Sequence, residues 1–278
     1  VGGGEKTCSN NLTITQRLIL ARTQLLQASH IVVATLSGAG SRALLEMAIE
    51  KSVGFDGVIV DEAGFCTEMS CLIPLRFNPI RAVLIGDPKQ LRAPTLSHHA
   101  RRANYAQSMM ERLQLSGYPT VILEDQFRMH PQICQWVSSQ FYDGKLRRAA
   151  SLKTRDFAFQ ADPAFRPYLV HNLRYGREKS SGMGSYSNEA EAVFVCDLLT
   201  RFYKTTGTSA CSQDGHLSVG IITPYKGQTR LVIEQLRRRH LNTHDIEVST
   251  VDSFQGREKD VIICTCVRAR GGGASERR

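Results

Sequence analysis

The chain has 278 residues and a mass of 30.9 kDa, 42% of them hydrophobic and 22% charged. This supplies apolar side chain for packed cores, excludes wholesale disorder and suits about two domains. No apolar run approaches the ~18 residues of a membrane span, and Val1-Gly2-Gly3-Gly4-Glu5-Lys6 does not read as a secretory leader. The net charge is +9; residues 1–125 hold 12 Lys and Arg against 11 Asp and Glu, and residues 126–278 hold 23 against 15. That asymmetry reads equally as a polyanion-binding second half or as a soluble basic surface.

From the N-terminus, periodicity predicts a helix over 15–27, a strand over 31–35, a helix over 42–49 and strands over 58–61 and 82–86. A helix over 107–115 then ends in the turn residues Ser116-Gly117-Tyr118-Pro119, which place a boundary between domains 1–118 and 119–278. The second part reads as a strand over 121–123, helices over 131–141, 189–203 and 227–240, and strands over 219–223, 246–249 and 261–266. Stretches 174–187 and 205–215 read as surface loops. Short, nearly continuous apolar strands separated by helices indicate an α/β protein with buried parallel sheets. Eight cysteines, at 8, 66, 71, 134, 196, 211, 264 and 266, form no Cys-x-x-Cys pair. They argue for a reducing compartment and against a disulfide scaffold or zinc module.

Four segments carry candidate chemistry. Val58-Ile59-Val60-Asp61-Glu62 runs an apolar strand into two carboxylates. At such a strand end Asp61 can hold Mg²⁺ through water and Glu62 can activate an attacking water; acidic strand ends also occur for purely structural reasons. Ile85-Gly86-Asp87-Pro88-Lys89-Gln90 repeats the strand-to-turn pattern, with the Gln90 amide placed to sense a γ-phosphate or the lytic water. In Gln126-Phe127-Arg128-Met129-His130-Pro131, Arg128 precedes a proline-started helix and could neutralise a transferring phosphoryl group. His130 there reads as a turn residue. In Thr250-Val251-Asp252-Ser253-Phe254-Gln255-Gly256-Arg257-Glu258, Gly256 permits close backbone approach to a ligand, and Glu258 could bond a ribose or order an arginine.

Together with Gly220-Ile221-Ile222-Thr223-Pro224-Tyr225-Lys226, these motifs, in this order over about residues 28–270, resemble superfamily 1 helicases. The likeness is to the branch of the nonsense-mediated-decay helicase and senataxin. It is nearer the latter in Asp87-Pro88-Lys89-Gln90, Gln107-Ser108-Met109-Met110 and Pro167-Tyr168-Leu169-Val170. The resemblance implies two RecA-like parallel-sheet domains, the first incomplete, that use ATP and Mg²⁺. It implies Asp61 as the magnesium ligand, Glu62 as catalytic base, Gln90 as γ-phosphate contact and Arg128 as an arginine finger. Asp87, Gly256 and Glu258 would lie at the nucleotide. Thr35, Thr223 and Thr250 would grip the phosphates of single-stranded RNA or DNA, or of an RNA–DNA hybrid, without reading sequence. It also favours a nuclear setting over the cytoplasm.

Departures from the pattern matter equally. Gly2-Gly3-Gly4-Glu5-Lys6-Thr7 has Glu5 where a phosphate-binding loop requires Gly, and no strand precedes it. No arginine-bearing last motif follows Arg270, and Arg92-Ala93 replaces the usual prolines after Leu91. The expectation is an interior piece of a longer helicase that by itself hydrolyses ATP poorly or not at all. A nucleic-acid-binding module without ATPase activity is the alternative. The basic run Arg237-Arg238-Arg239-His240 reads as a nuclear signal, a strand contact or the solvated end of a helix.

Overall fold

Apolar β-branched runs become parallel strands and the amphipathic stretches between them become covering helices. The computed structural model describes residues 13–50, 54–152, 157–180, 184–206, 217–241 and 246–269. The glycine-rich N-terminal stretch and the residues after Ala269 lie outside these. The chain divides into two units, Val1–Ile122 and Leu123–Arg278.

In the first unit, α1 (Ile14–Ala28) starts at a capping box: Thr13 accepts from the Gln16 N–H, and the Gln16 side chain accepts from the Thr13 N–H. Thr35 caps the single turn α2 (Leu36–Ala39), and α3 (Arg42–Glu50) follows. Strand β1 (Gly57–Val60) pairs in parallel with β2 (Arg81–Leu84), in the register Gly57↔Arg81 to Val60↔Leu84. Their crossover is α4 (Glu68–Leu75), capped by Thr67; α5 (His98–Arg102) and α6 (Met109–Leu115) come after β2. Val60, Ala63, Cys71 and Met109 are buried together, with Val58, Leu84 and Leu113 packed around them. A second cluster joins Ala39, Leu44 and Phe77, the last in edge-to-face contact with Phe55 at 5.2 Å. The predicted strand at 31–35 does not form. β-branched residues need a neighbouring strand to pair with, none of the described residues supplies one, and Ile31 and Val33 stay in solvent.

In the second unit, β3 (Asp125–Gln126) pairs in parallel with β4 (Arg147–Arg148), and α7 (Pro131–Phe141) lies between them in sequence. Residues 121–123 take no strand; the ladder begins at Asp125 instead. Part of the predicted loop at 174–187 is an antiparallel hairpin, β5 (Glu178–Ser180) with β6 (Tyr186–Asn188). Helix α8 (Glu189–Thr206) leads to β7 (Val219–Thr223), then α9 (Lys226–Arg238), β8 (Ile246–Thr250), the single turn α10 (Val251–Phe254) and β9 (Val261–Cys264). The all-parallel sheet has the order β8-β7-β9. Val195, Cys196, Leu199 and Phe202 of α8 and Val232 and Leu236 of α9 bury against Val219, Ile221 and Ile246. The basic run at 237–240 closes α9: Arg238 pairs with Glu234, and Arg239 pairs with Asp197 on α8.

Candidate functional site

In the first unit the chain leaves β1 through Asp61 and Glu62, both exposed. Glu62 adopts a φ of 52°, and the Asp61 Oδ1 accepts from its amide at 2.9 Å. A left-handed glutamate costs about 1–3 kcal/mol and persists only where its surroundings hold it. The ladder supplies that hold by continuing past both strands. The Ile85 N–H donates to the Val60 carbonyl and the Ala63 N–H to the Ile85 carbonyl, each at 2.8 Å. Gly64 and Gly86 then let the two turns touch backbone to backbone. A Cβ on Gly86 would stand 2.6 Å from the Gly64 nitrogen, and one on Gly64 would stand 2.7 Å from the Asp87 carbonyl oxygen. The turn bearing Asp61 and Glu62 is therefore seated on the turn bearing Asp87 and Gln90.

Asp87 works within its own turn. Its carboxylate accepts from the Lys89 N–H at 2.9 Å and from the Gln90 Nε2 at 3.0 Å, and the Gln90 N–H donates to its carbonyl. This geometry makes Asp87 the residue that orients the Gln90 amide. Arg92, in place of a proline, pairs with Glu111 of α6 at 2.5 Å and fastens the next segment. Thr35 spends its hydroxyl capping α2, accepting from the Gly38 N–H at 3.0 Å.

In the second unit, Gln126 builds the loop that presents Arg128. Its Oε1 accepts from the Arg128 and Met129 amides at 2.8 and 2.6 Å, and its Nε2 donates to the Met129 carbonyl. Sequence reasoning passed over Gln126, although a long amide just before a turn was the available signal. His130 caps α7, its Nδ1 accepting from the Gln132 N–H. The Arg128 guanidinium reaches across to Glu258, Nε to Oε2 at 2.5 Å, so these two predicted site residues meet. Gly256 has a φ of 77° and nothing within 4 Å of a Cβ position. Its glycine is required by the backbone conformation, not by crowding.

Thr223 and Thr250 are direct partners at the C-terminal ends of β7 and β8. Thr250 caps α10 and bonds the Ser253 hydroxyl at 2.9 Å. Thr223 is 1% exposed, and its Oγ1, like the Oε1 of Gln255, is buried with no hydrogen-bond partner. Behind them lies a polar network that the sequence did not announce. Gln228 joins the Asn188 backbone and Thr265, while Glu191 accepts from Asn188, Thr265 and the Val267 N–H. The segment so held presents Arg268. Its guanidinium lies 4.6 Å over the Tyr186 ring and bonds Glu178 at 2.8 Å; hydrogen bonds to Tyr225 and Glu178 raise its pKa further.

Among the described residues no group of three or more His, Cys, Asp or Glu gathers into a protein-only metal site. Magnesium asks for less: one or two carboxylates, with phosphate and water completing the shell. The exposed hard-oxygen donor Asp61 fits that need.

Two family profiles, each described as an AAA domain, match residues 4–98 and 105–277. Probable helicase MAGATAMA 3 of Arabidopsis thaliana is 37% identical over 259 residues, 91% of this chain and 30% of that protein. A Drosophila melanogaster regulator of nonsense transcripts 1 homolog is 34% identical over 90% of the chain and 20% of its own length. Probable helicase senataxin of Homo sapiens is 36% identical over 87% of the chain and 9% of its own length. The chain thus spans less than a third of each of these relatives. A carboxylate-ended β1 seated on the β2 turn, a second parallel sheet with paired threonines at its strand ends, and these matches over nearly all residues agree: the chain belongs to the superfamily 1 helicases, in the branch of senataxin and the regulators of nonsense transcripts.

Proposed function

We propose that the chain is a working part of an ATP-driven motor that moves along single-stranded RNA or DNA and opens duplexes or hybrids. The observation that carries this reading is the seating of the Asp61-Glu62 turn on the Asp87–Gln90 turn through Gly64 and Gly86. In it, a general base and an amide sensor share one rigid support. Asp61 would hold Mg²⁺, which would supply Lewis-acid charge stabilisation at the phosphates. Glu62, an exposed side chain, accepts the proton of the attacking water. Gln90, aimed by Asp87, responds to the terminal phosphate. Arg128 supplies positive charge to the transition state once it parts from Glu258, and Glu258 and Gly256 face the nucleoside. Thr35, Thr223 and Thr250 contact phosphates of the strand; Thr35 and Thr250 accept helix amides through Oγ1, while the Thr223 Oγ1 is buried with no hydrogen-bond partner.

The test is Glu62→Gln in the longest polypeptide that the gene encodes. The expected outcome is unchanged nucleotide binding with strand-stimulated turnover reduced by about 10²–10⁴, the usual contribution of a general base. Unchanged turnover removes Glu62 from that role. Strand binding with no turnover in either protein favours a binding module instead. The 278-residue chain assayed alone is expected to turn over ATP slowly or not at all.

A further inference from the structure

Directly beyond the Asp61-Glu62 turn, two thiols lie against each other. Cys66 follows the turn and is partly exposed, while Cys71 sits in α4 and is completely buried. Their sulfurs are 3.2 Å apart, and Cys66 Sγ also donates to the Ala63 carbonyl at 3.4 Å. We infer that Cys66 and Cys71 form a peroxide-oxidisable dithiol whose disulfide pulls on the carboxylate-bearing turn.

Accessibility orders the steps. Cys66 is the sulfur a small oxidant can reach. Burial, reinforced by the neighbouring Cys66, pushes the Cys71 thiol up to about 12, so it stays protonated and inert until Cys66 has reacted. The Cys66 thiolate attacks one oxygen of hydrogen peroxide, the O–O bond breaks, and Cys66 becomes a sulfenic acid as hydroxide leaves and is protonated to water. The Cys71 sulfur then attacks the Cys66 sulfur, the S–O bond breaks, and the departing hydroxide takes the Cys71 proton as a second water. Two thiols lose two electrons in all, and one peroxide is reduced to two waters.

A disulfide spans about 2.05 Å, so closure draws Cys66 and the first turn of α4 together by roughly 1 Å. The same step removes the S–H that bonds the Ala63 carbonyl. Ala63 is the residue whose amide ties the turn to Ile85, so the strain arrives at the anchor of Glu62. That this matters for ATP chemistry rests on the functional reading above; the bond itself does not.

The experiment treats the 278-residue chain with hydrogen peroxide and reads intact mass, peptide linkage and hydrogen exchange. The expected result is a loss of two hydrogens, a Cys66–Cys71 linked peptide that dithiothreitol releases, and altered exchange at the amides of residues 61–66. Cys66→Ser abolishes the link. Cys71→Ser leaves a Cys66 sulfenic acid that dimedone captures. Oxidation of Cys66 to sulfinic acid beside a free Cys71, a link to another cysteine, or a link with unchanged exchange at 61–66 overturns the inference. No readout needs nucleotide, so a normal link in a chain whose longer form never hydrolyses ATP counts against the motor and not against the switch.

Discussion

Glycine is used for two different reasons in this chain, and substitutions separate them. At Gly86 the constraint is space. A methyl group there meets the Gly64 and Ala63 nitrogens at 2.6 and 2.8 Å, which are backbone atoms that cannot swing away. Gly86→Ala is expected to destabilise the first unit by roughly 1–3 kcal/mol, the usual cost of overpacking, and to shift its urea midpoint accordingly. At Gly256 the space is open and only the positive φ resists a side chain, at about 1–2 kcal/mol, so Gly256→Ala should weaken the second unit without disturbing the turn at Glu62. An undiminished midpoint in Gly86→Ala would show that the two turns do not bear on each other. At this scale the end of the apolar strand before Asp61 and Glu62 was legible, and both side chains are exposed there. The work of Asp87 was hidden, since a side chain that bonds its own turn looks in sequence like one aimed at a ligand. The sequence left Glu258 open as a ribose contact or as the partner of an unspecified arginine; its ion pair with Arg128 joins positions far apart in the chain, which no local pattern encodes.

Helix α4 is tied to α6 by a forked ion pair. Arg112 Nε donates to both Glu68 oxygens, at 3.0 and 2.8 Å, and Nη2 donates to Oε1 at 2.6 Å. The Arg112 hydrogen bonds hold the Glu68 carboxyl below its usual 4.5. A carboxylate with a lowered folded-state pKa contributes stability that is complete above its unfolded value and is lost as pH falls through the folded one. The first unit should therefore weaken as pH drops below about 4.5, and Arg112→Gln should flatten that part of its pH profile. Equal acid sensitivity in both proteins, followed by circular dichroism, would exclude the pair as a contributor. Elements with a strong period were readable: the apolar runs became β7, β8 and β9, and proline at the start fixed α7 at Pro131. The hairpin β5–β6 was not, because its strands are three polar residues each and are held by contacts from elsewhere. Asn188, at its end, is completely buried and bonded to Gln228 and Val267. Residues 31–35 showed the converse, β propensity without a partner strand.

Over the whole molecule, the charge asymmetry sets what binding should look like. Residues 126–278 carry the surplus of Lys and Arg, and no helix among the described residues is long and apolar enough to cross a membrane. If phosphate contacts dominate, single-strand affinity must fall linearly on a log–log plot against salt, with a slope of about −0.7 per phosphate neutralised. Fluorescence anisotropy with a short RNA and a DNA of the same sequence would measure it, and a flat salt response would count against the strand-track reading. The α/β class was visible in advance as alternating strands and helices, whereas strand pairing depends on strand order, which periodicity does not specify. That order, β8-β7-β9, carries a consequence for synthesis. The middle strand leaves the ribosome first, and both neighbours are made after it. The apolar β7 must wait, shielded by a chaperone or by α8, with one side open until β8 is made and the other until Cys264 emerges. Nascent chains stalled before β9 should remain protease-sensitive throughout this unit, and resistance at that length would mean that two strands suffice.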